Sequence, residues 1–175
     1  MMPTVRRLLA LALIAIASCS TTHVVTTPGS TGHSQPPQPA RVGDTITLHG
    51  NEQGLAVAVT VLQLIDPAHA GQLGPPPPSK RLVAVQVRLR NVGAATYDDS
   101  PGNGARLKDQ AGQEYSAQIE DSTSCQGFAN GTATIAAGDE AVGCVTFELP
   151  KAAMVASFQF RLDSGFGPDV GQWQI

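Results

Sequence analysis

Lys80-Arg81-Leu82-Val83-Ala84-Val85-Gln86-Val87-Arg88-Leu89-Arg90-Asn91-Val92-Gly93 decides the fold. Val83, Val85, Val87 and Leu89 alternate with Ala84, Gln86, Arg88 and Arg90. Period-two alternation with β-branched residues on one side predicts a strand with one buried and one wet face. Arg88 and Arg90 on the polar side break any coherent helical stripe, and Gly93 stops the run.

The segments around it repeat this pattern. Thr45-Ile46-Thr47-Leu48-His49 alternates, and Leu55, Val57, Val59 and Val61 point one way from a second strand that Asp66-Pro67 ends. Residues 69–79 form a loop stiffened by Pro75-Pro76-Pro77-Pro78, which cannot lie inside a sheet and reads as a rigid spacer rather than a proline-recognition ligand. A polar loop follows the central strand up to Asn103. Ala105-Arg106-Leu107-Lys108-Asp109 and Glu114-Tyr115-Ser116-Ala117-Gln118 then flank a short turn as a hairpin. Thr132-Ala133-Thr134-Ile135 is a short strand. Val145, Phe147 and Leu149 face inward from a long one that Pro150 ends, as do Phe158, Phe160 and Leu162 from the next. Gln172-Trp173-Gln174-Ile175 closes the chain. About nine short strands with no helical periodicity predict an all-β fold of two packed antiparallel sheets.

The first 18 residues differ in kind. Arg6-Arg7 precede an apolar run over 8–16, then the small pair Ala17-Ser18 and Cys19. This is a secretory signal, too short for a permanent span of about 20 apolar residues. Ile16-Ala17-Ser18-Cys19 resembles the bacterial lipobox, in which the cysteine is lipidated and becomes the mature N-terminus. Ile stands where Leu is commonest. The resemblance implies acyl chains such as palmitate on Cys19, and two or more chains at about 0.8 kcal/mol per buried methylene anchor stably. Residues 19–41 read as a flexible tether rich in Ser, Thr, Gly, Gln and Pro, with Val24-Val25 as its apolar exception. His23 and His33 in this tract read as solvated side chains. The expected division is signal peptide 1–18, tether 19–41 and sandwich 42–175.

Cysteine usage supports export. Setting aside Cys19 leaves Cys125 and Cys144 of the three cysteines, expected to form a disulfide tying a loop to the outward face of a strand, with free or redox-active thiols as the alternative. The formal net charge is −3; removing Arg6 and Arg7 from 11 Lys+Arg leaves 9 against 14 Asp+Glu, a net charge of −5. That balance argues against nucleic acid as a partner. A local basic patch at Arg81, Arg88 and Arg90 is expected to be solvated charge on a sheet face.

Three pieces together carry a further resemblance. They are Lys80 to Gly93 with its Asn91-Val92-Gly93 end, Leu107-Lys108-Asp109-Gln110-Ala111-Gly112-Gln113-Glu114-Tyr115, and Ile135-Ala136-Ala137-Gly138-Asp139 running into Gly143-Cys144-Val145-Thr146-Phe147-Glu148-Leu149-Pro150. The chain resembles the telokin-like, immunoglobulin-like domain of unknown function carried by many bacterial lipoproteins. The resemblance implies an immunoglobulin-like sandwich and an envelope location. It brings no catalytic residues. His49 and His69 lack hydrolase or zinc spacing, and Asp98, Asp99, Glu120 and Asp121 lack EF-hand spacing, so no enzyme activity, metal or cofactor is expected. Asn130-Gly131-Thr132 reads as a turn. The expected function is a non-enzymatic binding module. It is held at the membrane through Cys19 and contacts an envelope protein or polymer by its loops or an exposed strand edge. A structural or antigenic surface protein and a small-ligand carrier are the alternatives.

Overall fold

The computed structural model describes residues 39–119 and 122–175, and the backbone alone of 23–25. The signal segment, Cys19, His33, Glu120 and Asp121 lie outside the described residues. The strands are β1 (His23–Val25), β2 (Ala40–Arg41), β3 (Thr45–His49), β4 (Ala56–Ala68), β5 (Lys80–Asn91), β6 (Tyr97–Asp99), β7 (Ala105–Asp109), β8 (Glu114–Ser116), β9 (Ala133–Ile135), β10 (Glu140–Pro150), β11 (Val155–Phe160) and β12 (Asp169–Gln174), with one short helix, α1 (Pro101–Gly104).

β10-β5-β4-β3 form one antiparallel sheet. β1-β12-β11-β7-β8 form the other, with β2 also on β12. A two-stranded ribbon, β6-β9, sits beside them. The sheets face each other across a core in which Val83, Val85, Val87 and Leu89 of β5 are fully buried. Aromatic rings span the gap. Phe147 of β10 meets Phe158 of β11 edge-on at 6.4 Å between centroids, and Phe158 leans on Trp173 of β12 at 5.9 Å. The Trp173 indole N–H donates to the Asp44 carbonyl at 3.0 Å, so its polar atom is satisfied inside the core.

Four departures from the sequence reading have physical causes. First, β5 has a graded outer face. Gln86, Arg88 and Arg90 keep solvent access, but Leu82 and Ala84 are buried with Ala68 in a second small cluster. The cover is a pair of loop segments zipped together: His69 carbonyl accepts from the Thr123 amide and the Ser122 hydroxyl, and the His69 amide donates to Ser124 Oγ at 2.8 Å. Second, Asp66-Pro67 does not end β4. The strand runs to Ala68, and its register with β5 shifts at Val61/Gln63 and again at Ile65/Ala68. Pro67 falls within the second shift, where no ladder donor is required of it. Third, the polar loop before Asn103 contains β6 and α1. Fourth, the stretch expected as tether is partly paired. His23–Val25 lies parallel to Asp169–Gly171, and Ala40–Arg41 lies parallel to Trp173–Gln174, with Ala40 fully buried.

The pieces that carried the family resemblance turn out to be turn chemistry. Asn91 is fully buried; its side-chain amide donates to the Ala95 and Ile135 carbonyls at 2.7 and 2.9 Å, and its Oδ1 accepts from the Gly93 amide. A Cβ at Gly93 would fall 2.6 Å from the Ala56 amide nitrogen, so only glycine fits this approach. Asp109 closes the β7-β8 hairpin by accepting from the amides of Ala111 and Gln113, and its second oxygen takes the Tyr115 hydroxyl at 2.9 Å. The Gln113 amide, with the Tyr115 and Ala111 donors, holds the Asp109 carboxyl below its ordinary range.

A disulfide joins Cys125 to Cys144, with Cα atoms 6.1 Å apart. Cys144 points away from the intersheet core, so the bridge fastens the covering loop to β10 rather than one sheet to the other. Backbone bonds add to it: the Cys144 amide donates to Gln126, and the Gln118 amide to Thr146, both at 2.9 Å. The loop thereby occupies the β10 edge, which would otherwise offer unpaired backbone groups.

Phe158→Ala is expected to lower unfolding free energy by about 3–5 kcal/mol in guanidinium titrations, while Phe166→Ala, at an 81% exposed position, changes it by roughly 0.5 kcal/mol or less. Asn91→Ala strands buried carbonyls and is expected to cost about 1–3 kcal/mol by the same measurement. Replacing both Cys125 and Cys144 by Ser is expected to cost about 3 kcal/mol for a sequence separation of 19 residues, with proteolysis appearing first within the 117–128 segment.

Candidate functional site

The polar residues singled out by sequence do not converge on one place. Arg81 and Arg88 are separated along β5 by about 23 Å at ~3.3 Å per residue. Arg81 grips Asp66 with two bonds of 2.6 and 2.7 Å, and donates to the Pro150 and Ala153 carbonyls at 2.6 and 2.8 Å. It is a clamp between β4 and the β10-β11 turn. Arg88 approaches Glu140 at 3.6 Å, and Arg90 lies opposite Glu140 in the β5-β10 register. Lys80 pairs with Glu148 at 2.6 Å. Cation and carboxylate alternate along this face, so no single-sign patch forms.

The two histidines of the folded part lie in different contacts. His69 Nδ1 sits 3.2 Å from Ser124 Oγ, a Ser–His pair by distance. The same Oγ accepts the backbone amide of His69, so the pair caps the junction of the two loop segments. His49 Nδ1 meets Asp169 Oδ2 at 2.9 Å, and the same oxygen accepts the His49 amide at 2.8 Å. This latches the end of β3 to the start of β12.

Asp98 and Asp99 are also committed to latches. Asp98 accepts from the Thr134 hydroxyl across the β6-β9 ribbon at 2.8 Å. Asp99 accepts the amide of Ser164 at 2.6 Å and its hydroxyl at 2.5 Å. Asp163 accepts the Asn51 amide at 2.6 Å. Among the described residues no three His, Cys, Asp or Glu side chains gather as metal ligands. Tyr97 is buried in the core beside these carboxylates, and its hydroxyl has no hydrogen-bond partner among the described residues. Burial first, then the Asp99 and Asp163 charges, push this phenol far above its ordinary value, so it stays neutral.

What the molecule presents is shape. A shallow cleft of about 670 Å³ lies between the Gly50–Leu55 turn and Val92, Gly93 and Ala94. A second, of about 510 Å³, lies beside β10 and is lined by the Cys125–Cys144 pair, Phe128, Ala117, Ile119 and Thr146. The Phe128 ring roofs Gly143, where a Cβ would come within 2.7 Å of it, so this wall depends on glycine. The most exposed aromatic, Phe166, stands on a turn in which Asp163, Ser164 and Gly165 all hold positive φ (53°, 53° and 93°). Sequence reading missed this turn, because Asp163-Ser164-Gly165-Phe166 carries no period. Its one signal was an aromatic flanked by two glycines, Gly165 and Gly167.

Comparison with known proteins places this geometry. Among solved structures the chain is similar to MPT63, a secreted protein from Mycobacterium tuberculosis, at 12% identity and TM-score 0.54, over 78% of this chain and 95% of that one. It is similar to the yjhA protein from Bacillus subtilis at 10% identity and TM-score 0.54, over 78% and 98%. It is also similar to the "putative lipoprotein" ycdA from Bacillus subtilis at 13% identity and TM-score 0.57, over 78% of this chain and 38% of that one. At these identities the likeness is one of fold. No curated protein matches the chain. The family model matches residues 51–169, from the turn after β3 to the first residue of β12, and thus takes in the Asn91, Asp109 and Gly138 turns; the chain belongs to the family described as Domain of unknown function (DUF4352).

Proposed function

We propose that this protein is an exported lipoprotein of the bacterial envelope, acylated at Cys19, whose sandwich is a non-enzymatic interaction module. The observation that carries the reading is the order Arg6-Arg7, apolar 8–16, Ala17-Ser18-Cys19 ahead of a domain built as a scaffold. Among the described residues no helix is long and apolar enough to cross a membrane, so attachment through acyl chains fits the chain. Two similar folds agree with export: MPT63 is described as secreted, and ycdA as a "putative lipoprotein".

The binding half of the proposal rests on how polar groups are used. His49, His69, Asp99, Asp109 and Asp163 each hold a turn or a strand end in place. Such latches stiffen loops, and stiff loops on a rigid sandwich are suited to contact a protein or polymer without reorganisation. A carrier of small apolar ligands is disfavoured, since Phe147, Phe158 and Trp173 fill the space between the sheets.

The test is mass analysis of the mature N-terminal peptide from membranes of the producing cell, with crosslinked envelopes as a second readout. The expected peptide begins at Cys19 and carries diacylglyceryl mass, Cys19→Ser shifts the protein to the soluble fraction, and a partner crosslinks to wild type above the Cys19→Ser control. A mature N-terminus elsewhere without acyl mass would sink the anchor, and crosslinking no richer than the control would sink the interaction module.

A further inference from the structure

The sandwich has two unlike ends, and chain geometry decides which can reach a membrane. β1 pairs parallel to β12 with His23 opposite Asp169. Asp169 is held by His49 at the end of β3. The turns after β3 and β5, the 136–139 turn and the turn bearing Phe166 all gather at this end. Asn51 bonds Asp163 and the Phe166 carbonyl, Gly54 accepts the Ala94 amide, and Gly138 donates to Asn91. Cys19 stands four residues before His23. Four residues span at most about 14 Å when fully extended. β5, with 12 residues, runs about 40 Å from this end to the other at ~3.3 Å per residue. An acyl group on Cys19 therefore keeps this end within about 14 Å of the bilayer, while the far end can stand as much as about 40 Å out.

This end also carries the exposed apolar side chains that a membrane surface takes. Phe166 is 81% exposed and Val92 51% exposed, and Ala94, Ala136 and Ala137 are exposed on the same end. Phe166 does not hang on a loose loop. Its turn is closed by the Gly165 and Gly167 amides donating to the Leu162 carbonyl, by the Phe166 amide donating to Asp163, and by Asp99 holding Ser164. An aromatic kept in solvent by a fixed turn loses little freedom on insertion at a headgroup boundary. Glu52, Asp139 and Glu140 are exposed on the same end with Arg90, which stands opposite Glu140, so its charge is mixed with acids in excess among these four, and the fitting surface is zwitterionic rather than anionic.

We propose that the end bearing Phe166 and Val92 docks on a zwitterionic lipid surface, Phe166 entering the headgroup–acyl boundary while Cys19 holds the chain there. The proposal rests on the acylation reading above. The test uses full-length acylated protein in vesicles containing brominated phosphatidylcholine. Trp173, fully buried, gives a constant background in every variant. Phe166→Trp is expected to add an emission that is blue-shifted and quenched by the brominated chains. Met154→Trp, at the 62% exposed turn after β10 on the opposite end, is expected to add an emission that is not quenched. Flotation with the vesicles and acyl mass on Cys19 are measured on the same samples. Acylated, floating protein in which Phe166→Trp is quenched no more than Met154→Trp overturns the docking while leaving the anchor intact. Quenching confined to phosphatidylglycerol-rich vesicles overturns the assigned surface. Protein that neither floats nor carries acyl mass overturns the anchor and, with it, the docking.

Discussion

The structure depends on two rows of side chains meeting between the sheets. Phe147 from one and Phe158 with Trp173 from the other close the gap, and the β5 valines fill the remainder. This contact fixes register as well as stability. A one-residue slip of β10 against β5 would turn Phe147 and Leu149 to the outer face and bring Thr146 and Glu148 to the core. The cost of burying that carboxylate unpaired exceeds anything the slip could recover. Turns are then not free to choose their lengths. Asn91, Gly93 and Asp109 are the residues that make the required turns without leaving a buried backbone group unpaired.

Where burial follows period two on a strand with one covered face, the sequence was easy to read. β3, the first half of β4, β10 and β11 fall where alternation put them, and Phe158, Phe160 and Leu162 are fully buried as that pattern requires. Reading failed where something distant intervened. Leu82 and Ala84 look like half of an ordinary strand, and only the zipped 69–70 and 122–125 segments make their face dry. The end of β4 is hidden because a proline ordinarily stops a strand, whereas here a register shift carries the strand through Pro67 to Ala68. His23–Val25 has the composition of a tether, and its pairing comes from an open edge of β12, which no local pattern announces. The candidate site was less legible than the fold. His49 and Asp169 are 120 residues apart in sequence and 2.9 Å apart in space.

The family pattern is consistent with this. Its recognisable residues stabilise turns and face the core, so they specify a scaffold and say nothing about a substrate. In this chain the turns display Phe166, supported by Asp99 and Asp163, carboxylates that lie next to a buried neutral phenol at Tyr97. The acids at this end are used to hold backbone amides, so their arrangement reads as support for a presented side chain.

The polarity of the sandwich follows from strand direction rather than from any one residue. β1, β3 and β12 place His23, His49 and Asp169 at one end, while β5 begins at the other with Lys80 directly after the proline loop. If one end is leashed within about 14 Å of a bilayer, an upright sandwich puts the far end some 40 Å out, beyond several Debye lengths of ~8 Å at physiological salt. In that orientation membrane charge is screened from the far end. Leu73 is exposed just before a segment that four consecutive prolines keep extended, so little ordering would be required for contact there. The two ends are this different because of strand direction alone, so the direction of β1 along β12 decides which of them lies next to the segment that bears Cys19.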